Sequence, residues 1–216
     1  MGFWNAVLSG VLDALAPPAC LACDATCTAS QPFCAVCGAP ARLAEQPSLD
    51  ETRVAVIGPY CPPLSTAIVR FKYQGRAEHS RPLATLLLPA ATALALPEDV
   101  ALVPVPMHPR RLAQRGYNQA ALLARDLSQA LGRQYRPRLL RRTREAERQV
   151  GKTRSERLDN MCGAFELSDH QRAPVRAVLI DDVITTGATV RACAQALAAG
   201  GVEMTAIVAL AHAEPG

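Results

Sequence analysis

Val178-Leu179-Ile180-Asp181-Asp182-Val183-Ile184-Thr185-Thr186-Gly187-Ala188-Thr189 is the stretch on which the fold turns. The run into it, Val175 to Ile180, is apolar and of strand length, which predicts a strand buried on both faces. Two adjacent carboxylates stand at its end. Small hydroxyl residues and Gly187 follow, and then a helix pattern from Ala188 to Ala199. Small residues let successive backbone N–H groups wrap a phosphate, and the N-terminus of the next helix adds a favourable dipole. The hydroxyls of Thr185, Thr186 and Thr189 offer further donors, with Gly187 and Ala188 keeping the backbone accessible. The acid pair Asp181 and Asp182 suits a diol such as that of ribose, gripped directly or through a magnesium ion. A solvated acidic turn ahead of a plain helix cap is the blander reading. The coincidence of strand end, acid pair and phosphate-type loop weighs against it.

Outward from this segment the pattern alternates. Arg53 to Tyr60, Val100 to Pro106 and Met204 to Leu210 have strand character, and Asn118 to Leu131 has helical spacing. Leu83 to Leu96 is apolar but broken by Pro89, and reads as a core helix too short to cross a membrane. Strands alternating with helices predict parallel crossover units and a sheet covered on both faces, with ligands collecting beyond the carboxyl ends of its strands.

The 216 residues suit one full domain with a small appendage, and half of them are apolar, enough to build a core. Aromatics make up only 4%, which weakens the case for a surface that stacks bases on rings. The formal net charge is +4, and every basic residue except Lys72 and Lys152 is Arg. That is a near-neutral globule with one basic stretch, Arg133 to Arg157, rather than a polycation.

The appendage is marked by cysteine. Cys20-x2-Cys23 is followed by Cys34-x2-Cys37 and Gly38. Two such turns supply four thiolates for a closed tetrahedral zinc site, and so small a piece would draw most of its folding free energy from the metal. Disulfides or coincidence are the competing readings, and a reducing cytoplasm favours zinc. Cys27 lies between the pairs and could replace one ligand, while Cys61, Cys162 and Cys193 read as small buried residues. Trp4 to Leu15 has the spacing of a short amphipathic helix and lacks the basic start of a secretory signal, so a cytoplasmic location is expected. A polar, proline-bearing segment from Ala39 to Asp50 separates an appendage at 1–50 from a main domain at 51–216.

At these residues the chain resembles the ComF family, which is related to amidophosphoribosyltransferase domains. The Asp181 to Thr189 run resembles the phosphoribosyl-pyrophosphate signature of type I phosphoribosyltransferases. The narrower resemblance lies in the cysteine pairs, Phe71-Lys72-Tyr73, Val103 to Pro106 leading to Arg110-Arg111, Arg115-Gly116-Tyr117-Asn118-Gln119, Arg142-Thr143-Arg144, Gln149, Arg154, Arg157 and Asn160. The resemblance implies a type I phosphoribosyltransferase fold with a zinc-binding N-terminal appendage, and a site for phosphoribosyl pyrophosphate or a related sugar phosphate with magnesium.

By the same resemblance Arg110, Arg111 and Arg115 belong where pyrophosphate is held, which suits guanidinium forks. Arg144, Lys152 and Arg154 fall in a loop that closes over pyrophosphate. A surface for single-stranded DNA and a plain solvated face are the other readings of the basic stretch. The implied functions are phosphoribosyl transfer to an unidentified acceptor, or a non-catalytic role in DNA uptake with competence-machinery partners. No separate element for choosing an acceptor is evident, and the appendage is the segment left to serve as one.

Overall fold

The structure, a computed structural model, describes residues 18–28, 31–42, 47–143, 163–168 and 173–213. The expected amphipathic helix of residues 4–15 lies outside them. In chain order the elements are β1 (Ser48–Leu49), β2 (Thr52–Pro59), α1 (Leu64–Tyr73), a 3-10 turn (Ala77–His79), α2 (Ser80–Ala93), β3 (Ala101–Pro104), α3 (Pro109–Arg115), α4 (Gln119–Leu131), β4 (Gln134–Tyr135), β5 (Leu140–Arg142), β6 (Phe165–Leu167), β7 (Arg176–Ile184), α5 (Ala188–Ala199) and β8 (Glu203–His212). Among the described residues six strands form one sheet in the order β1-β2-β8-β7-β3-β4, and β5 with β6 forms a second, antiparallel pair. Every neighbouring pair in the large sheet is parallel except β1 with β2.

β7 and β8 hold the middle because their side chains are apolar on both faces. Ala177, Val178, Leu179 and Ile180 are fully buried. Val178 and Ile180 pack with Leu64, Ile68 and Phe71 of α1, Leu83 and Leu87 of α2, and Leu123 and Leu127 of α4. Ala177 and Leu179 face the other way, against Val190, Cys193 and Leu197 of α5 and the Leu140, Phe165 and Leu167 side of the small sheet. Each fully buried Leu or Phe contributes about 1.5–3 kcal/mol, so the two layers rest on opposite faces of the same four residues.

One expectation needs correction. The acid pair does not follow the strand. β7 continues to Ile184, with Asp181 beside Ala209, Val183 beside Ala211 and Ile184 beside His212. The long apolar run of β8 supplies hydrogen-bond partners that far. On the opposite edge β3 stops sooner: its register ends at Pro104 opposite Ile180, closed by the Val105 N–H donating to the Ile180 carbonyl at 2.8 Å. The proline-containing Val103 to Pro106 segment cannot continue the ladder. The last residues of β7 therefore carry sheet partners on one side and open space on the other.

The appendage is anchored on the same layer as α1 and α2. Cys20, Leu21 and Phe33 belong to the core cluster beneath those helices. Arg70, only 7% exposed, pairs with Asp24 and donates to the Leu21 carbonyl, and Arg76 reaches Asp24 at 3.0 Å. Between Asp24 and Arg70 in the chain, Ser48–Leu49 adds β1 to the sheet by pairing with Thr52 and Arg53.

Candidate functional site

A cleft of about 230 Å³ opens where β3 and β7 part. Its walls carry Lys72 and Tyr73 from the end of α1, Arg111 and Arg115 from α3, Arg142 from β5, Asp181 and Asp182 from β7, and Thr189 from α5. Four cations and two carboxylates thus come from four elements, and the fold brings them together.

The acid pair is electrostatically structured. The Asp182 N–H donates to Asp181 Oδ1 at 2.8 Å, and Lys72 Nζ lies 2.8 Å from Asp182 Oδ1. Burial would lower the pKa of Lys72, but the charges of Asp182 and then Asp181 outweigh it and raise it. The lysine is therefore a firm cation. The Asp181 carboxyl is pushed up to about 7, first by burial and next by the neighbouring Asp182 charge, with Lys72 and Arg142 pulling the other way. Two acids this close with one paired lysine leave room for a further positive charge or a hydroxyl donor.

Beyond Ile184 the backbone turns through Thr185 and Thr186 to Gly187, whose φ of +74° suits glycine and which caps α5. Thr185 is exposed, Gly187 and Ala188 are buried, and the Ala188 N–H lies 3.5 Å from Thr186 Oγ1. Thr189 lines the cleft. Thr185, Thr186, Gly187 and Ala188 form the adjoining turn rather than the cleft wall.

The Arg115 to Gln119 motif divides its labour. Arg115 lies over the Tyr73 ring at 4.8 Å and donates to Gln119 Oε1 at 2.8 Å. Tyr117 and the fully buried Gln119 both donate to the Phe71 carbonyl, fastening the end of α1. Asn118 caps α4 by accepting from the Ala120 N–H at 3.1 Å, and donates to the Val105 carbonyl at 3.0 Å. Three of the five residues thus make scaffold bonds, and Asn118 and Gln119 also line the cleft. Asn118→Ala removes a helix cap and strands a carbonyl of the cleft wall, and is expected to cost about 2 kcal/mol. Urea unfolding should show a lowered midpoint with an unchanged slope.

Of the arginines expected at pyrophosphate, Arg111 and Arg115 line the cleft. Arg110 does not; its exposed backbone N–H donates to Nδ1 of His108, the cap of α3. Arg144, Lys152 and Arg154 lie outside the described residues. Lys72, Tyr73 and Arg142 carry part of the family resemblance in the sequence but were given no place in the expected site. A sequence clue to the first existed, since Lys72 is one of two lysines in a chain whose other cations are all Arg. Arg142 lies over the Phe165 ring at 5.3 Å, and only the pairing of β5 with β6 sets that geometry.

The thiols of Cys20, Cys23, Cys34 and Cys37 converge within 4.8 Å of one another, with Cys23 and Cys34 Sγ 3.6 Å apart. Tetrahedral thiolates at the zinc–sulfur bond length stand about 3.8 Å apart, so the four can hold a zinc ion. Cys27 is not part of this cluster. Burial opposes ionisation of Cys20, but backbone N–H groups of Cys34, Ala22 and Cys23 outweigh it and hold the thiol down at about 6. Cys37 is pushed up to about 12 by the Cys23 and Cys34 sulfurs. Four thiolates repel one another until a dication compensates them.

The body is an α/β domain that places the acid pair and the turn at the carboxyl edge of a mostly parallel sheet. No protein-family model matches the chain. It is 36% identical to competence protein F of Haemophilus influenzae over 201 residues, 85% of this chain and 86% of that one. It is 33% identical to the DNA utilization protein YhgH of Escherichia coli K12 over 84% of this chain and 85% of that one. Among solved structures, adenine phosphoribosyltransferase from Thermoanaerobacter pseudethanolicus is similar over 68% of this chain and 73% of that one, at 18% identity and a TM-score of 0.40. The chain belongs to the ComF family of competence and DNA utilization proteins. Among the described residues no helix is long and apolar enough to cross a membrane.

Proposed function

We propose that the cleft binds phosphoribosyl pyrophosphate with magnesium, in a protein that serves DNA uptake or utilization. The observation that carries this reading is the meeting of Asp181 and Asp182 with Lys72, Arg111, Arg115 and Arg142 in one cleft, beside the turn that opens α5. The acids accept hydrogen bonds from the ribose diol. The turn at Thr185 to Thr189 offers main-chain N–H groups to the 5′-phosphate. Arg111 and Arg115 match phosphate oxygens on the far wall. Magnesium fits a pair of hard carboxylate oxygens, and when bound it neutralises charge on the pyrophosphate. Lys72 pairs with Asp182 Oδ1 and holds that carboxylate in place. The chemistry open to such a complex is displacement of pyrophosphate from the ribose anomeric carbon by a nitrogen nucleophile. Positioning and electrostatics would carry it without a protein nucleophile.

A second reading, single-stranded DNA binding, draws on the names of the relatives and on exposed Arg138 and Arg141 near the cleft-side strand β5. Calorimetry separates the two. Titration with phosphoribosyl pyrophosphate and magnesium should give saturable heat at one site per chain, and no heat would refute the sugar-phosphate reading. An oligonucleotide titration should weaken steeply with added salt if Arg–phosphate contacts bind it, and a flat response refutes the DNA reading.

A further inference from the structure

Arg191, one turn into α5, donates through Nη1 to the carbonyl of Thr186 at 2.7 Å. Its other face meets Asp50: Nη2 lies 3.1 Å from Oδ1, and Nε pairs with Oδ2. Asp50 sits in the tight turn joining β1 to β2, where Asp50 and Glu51 take φ of +48° and +65°. The residue before it, Leu49, packs so closely on Gly187 that a methyl group there would lie 2.6 Å from its Cδ2. One turn, from the opposite edge strand of the sheet, thus holds both the carbonyl side and the Cα side of the loop that opens α5.

We propose that Asp50 and Arg191 are positioning residues for the 5′-phosphate, setting the loop Thr185 to Gly187 in its phosphate-wrapping form from outside the cleft. The inference rests on the sugar-phosphate reading of that loop. Neither residue lines the cleft, and neither touches the phosphate in this account. The Asp50 side chain is 62% exposed and that of Arg191 26%, so solvent screens the pair and its contribution to global stability is small. Its effect is local: the guanidinium fixes a carbonyl whose peptide bears one of the N–H groups available to the ligand. A loop free to sample other backbone angles binds the same phosphate more weakly, because the bound form must be selected.

A through-space charge effect predicts the opposite sign for one variant, and that makes the clamp testable. Asp50→Asn tolerates the positive φ and removes a negative charge. Were only Coulomb attraction at work, it would tighten binding of any phosphate. The clamp instead requires it to loosen the loop. Isothermal titration of the full chain with ribose 5-phosphate, and separately with magnesium pyrophosphate, reads the difference. Asp50→Asn and Arg191→Ala should each weaken ribose 5-phosphate on the order of tenfold. Both should leave pyrophosphate affinity and the melting temperature near wild type. The double variant should be no worse than either single one, and Arg191→Lys should fall between. Tighter or unchanged ribose 5-phosphate binding by Asp50→Asn overturns the clamp, as does equal weakening of pyrophosphate. A wild-type chain that binds pyrophosphate but not ribose 5-phosphate overturns the reading of the loop itself, which is a separate failure.

Discussion

Asp181→Asn is expected to abolish phosphoribosyl-pyrophosphate binding and at the same time to make the protein more stable. The two effects share one cause. The carboxyl of Asp181 is buried beside Asp182, and its pKa is raised to about 7 from an ordinary 3.8. A carboxyl whose folded pKa is raised favours the folded state while protonated, so its contribution is fully present below pH 4 and is lost as pH rises through 7. At pH 8 wild type bears the whole cost of an ionised buried acid. The amide removes that cost at nearly constant shape and should gain about 1–3 kcal/mol there, with little gain at pH 4. Thermal melts of the magnesium-free protein across that range should show the two curves diverging with pH. Ligand binding should fall at least 100-fold, since an amide supplies one acceptor where the diol needs a carboxylate. A melting curve that drops at pH 8 would assign Asp181 to the scaffold instead. Unaltered binding in both Asp181→Asn and Asp182→Asn would remove the ligand from this cleft.

Removing the metal from the four-cysteine cluster should have the largest effect on stability. The knuckle contributes Cys20, Leu21 and Phe33 to the core beneath α1 and α2, and its Asp24 is the carboxylate that meets the buried Arg70. Without the ion the four sulfurs repel, the knuckle opens, and Arg70 keeps its burial while losing its counter-charge. Loss of the metal's binding free energy, with Arg70 left without its partner, costs on the order of several kcal/mol. For a chain of this size that corresponds to a fall of roughly 10 °C or more in melting temperature. Elemental analysis should find one zinc per chain in wild type and in Cys27→Ser, and a clear loss in Cys20→Ser and Cys37→Ser. Retention of zinc in Cys20→Ser with its loss in Cys27→Ser would exchange the ligands. Acidification should release the metal, because protons compete for the thiolates.

The expectation that β7 ends at Ile180 and its correction to Ile184 show what local sequence carries. Apolar residues on both sides of a strand read as burial, and Ala177 to Ile180 was legible for that reason, whereas Val175 ahead of the strand is exposed. Where a strand stops depends on whether its neighbour continues, and β8 does while β3 does not. The helix α5 was legible to the residue and α4 to within one, because helical spacing acts within a few turns of the chain. The four-cysteine cluster was equally local, each pair being closed by a CxxC turn. The places of Lys72 and Arg142 in the cleft were not legible, for the opposite reason. A salt bridge across 110 positions of sequence has no local signature, and neither does a guanidinium placed by the pairing of β5 with β6.

By itself the sequence determined the α/β class, the acid pair with its phosphate-type turn, and the four thiols, because each rests on the periodicity or chemistry of contiguous residues. Only the tertiary structure decided which cations face the acids, that Tyr117, Asn118 and Gln119 make scaffold bonds, and that a turn at Asp50 braces a loop at Thr186. Those relations are set by which edges of the sheet the chain returns to. Contacts between residues far apart in sequence exist only once the crossover connections have closed.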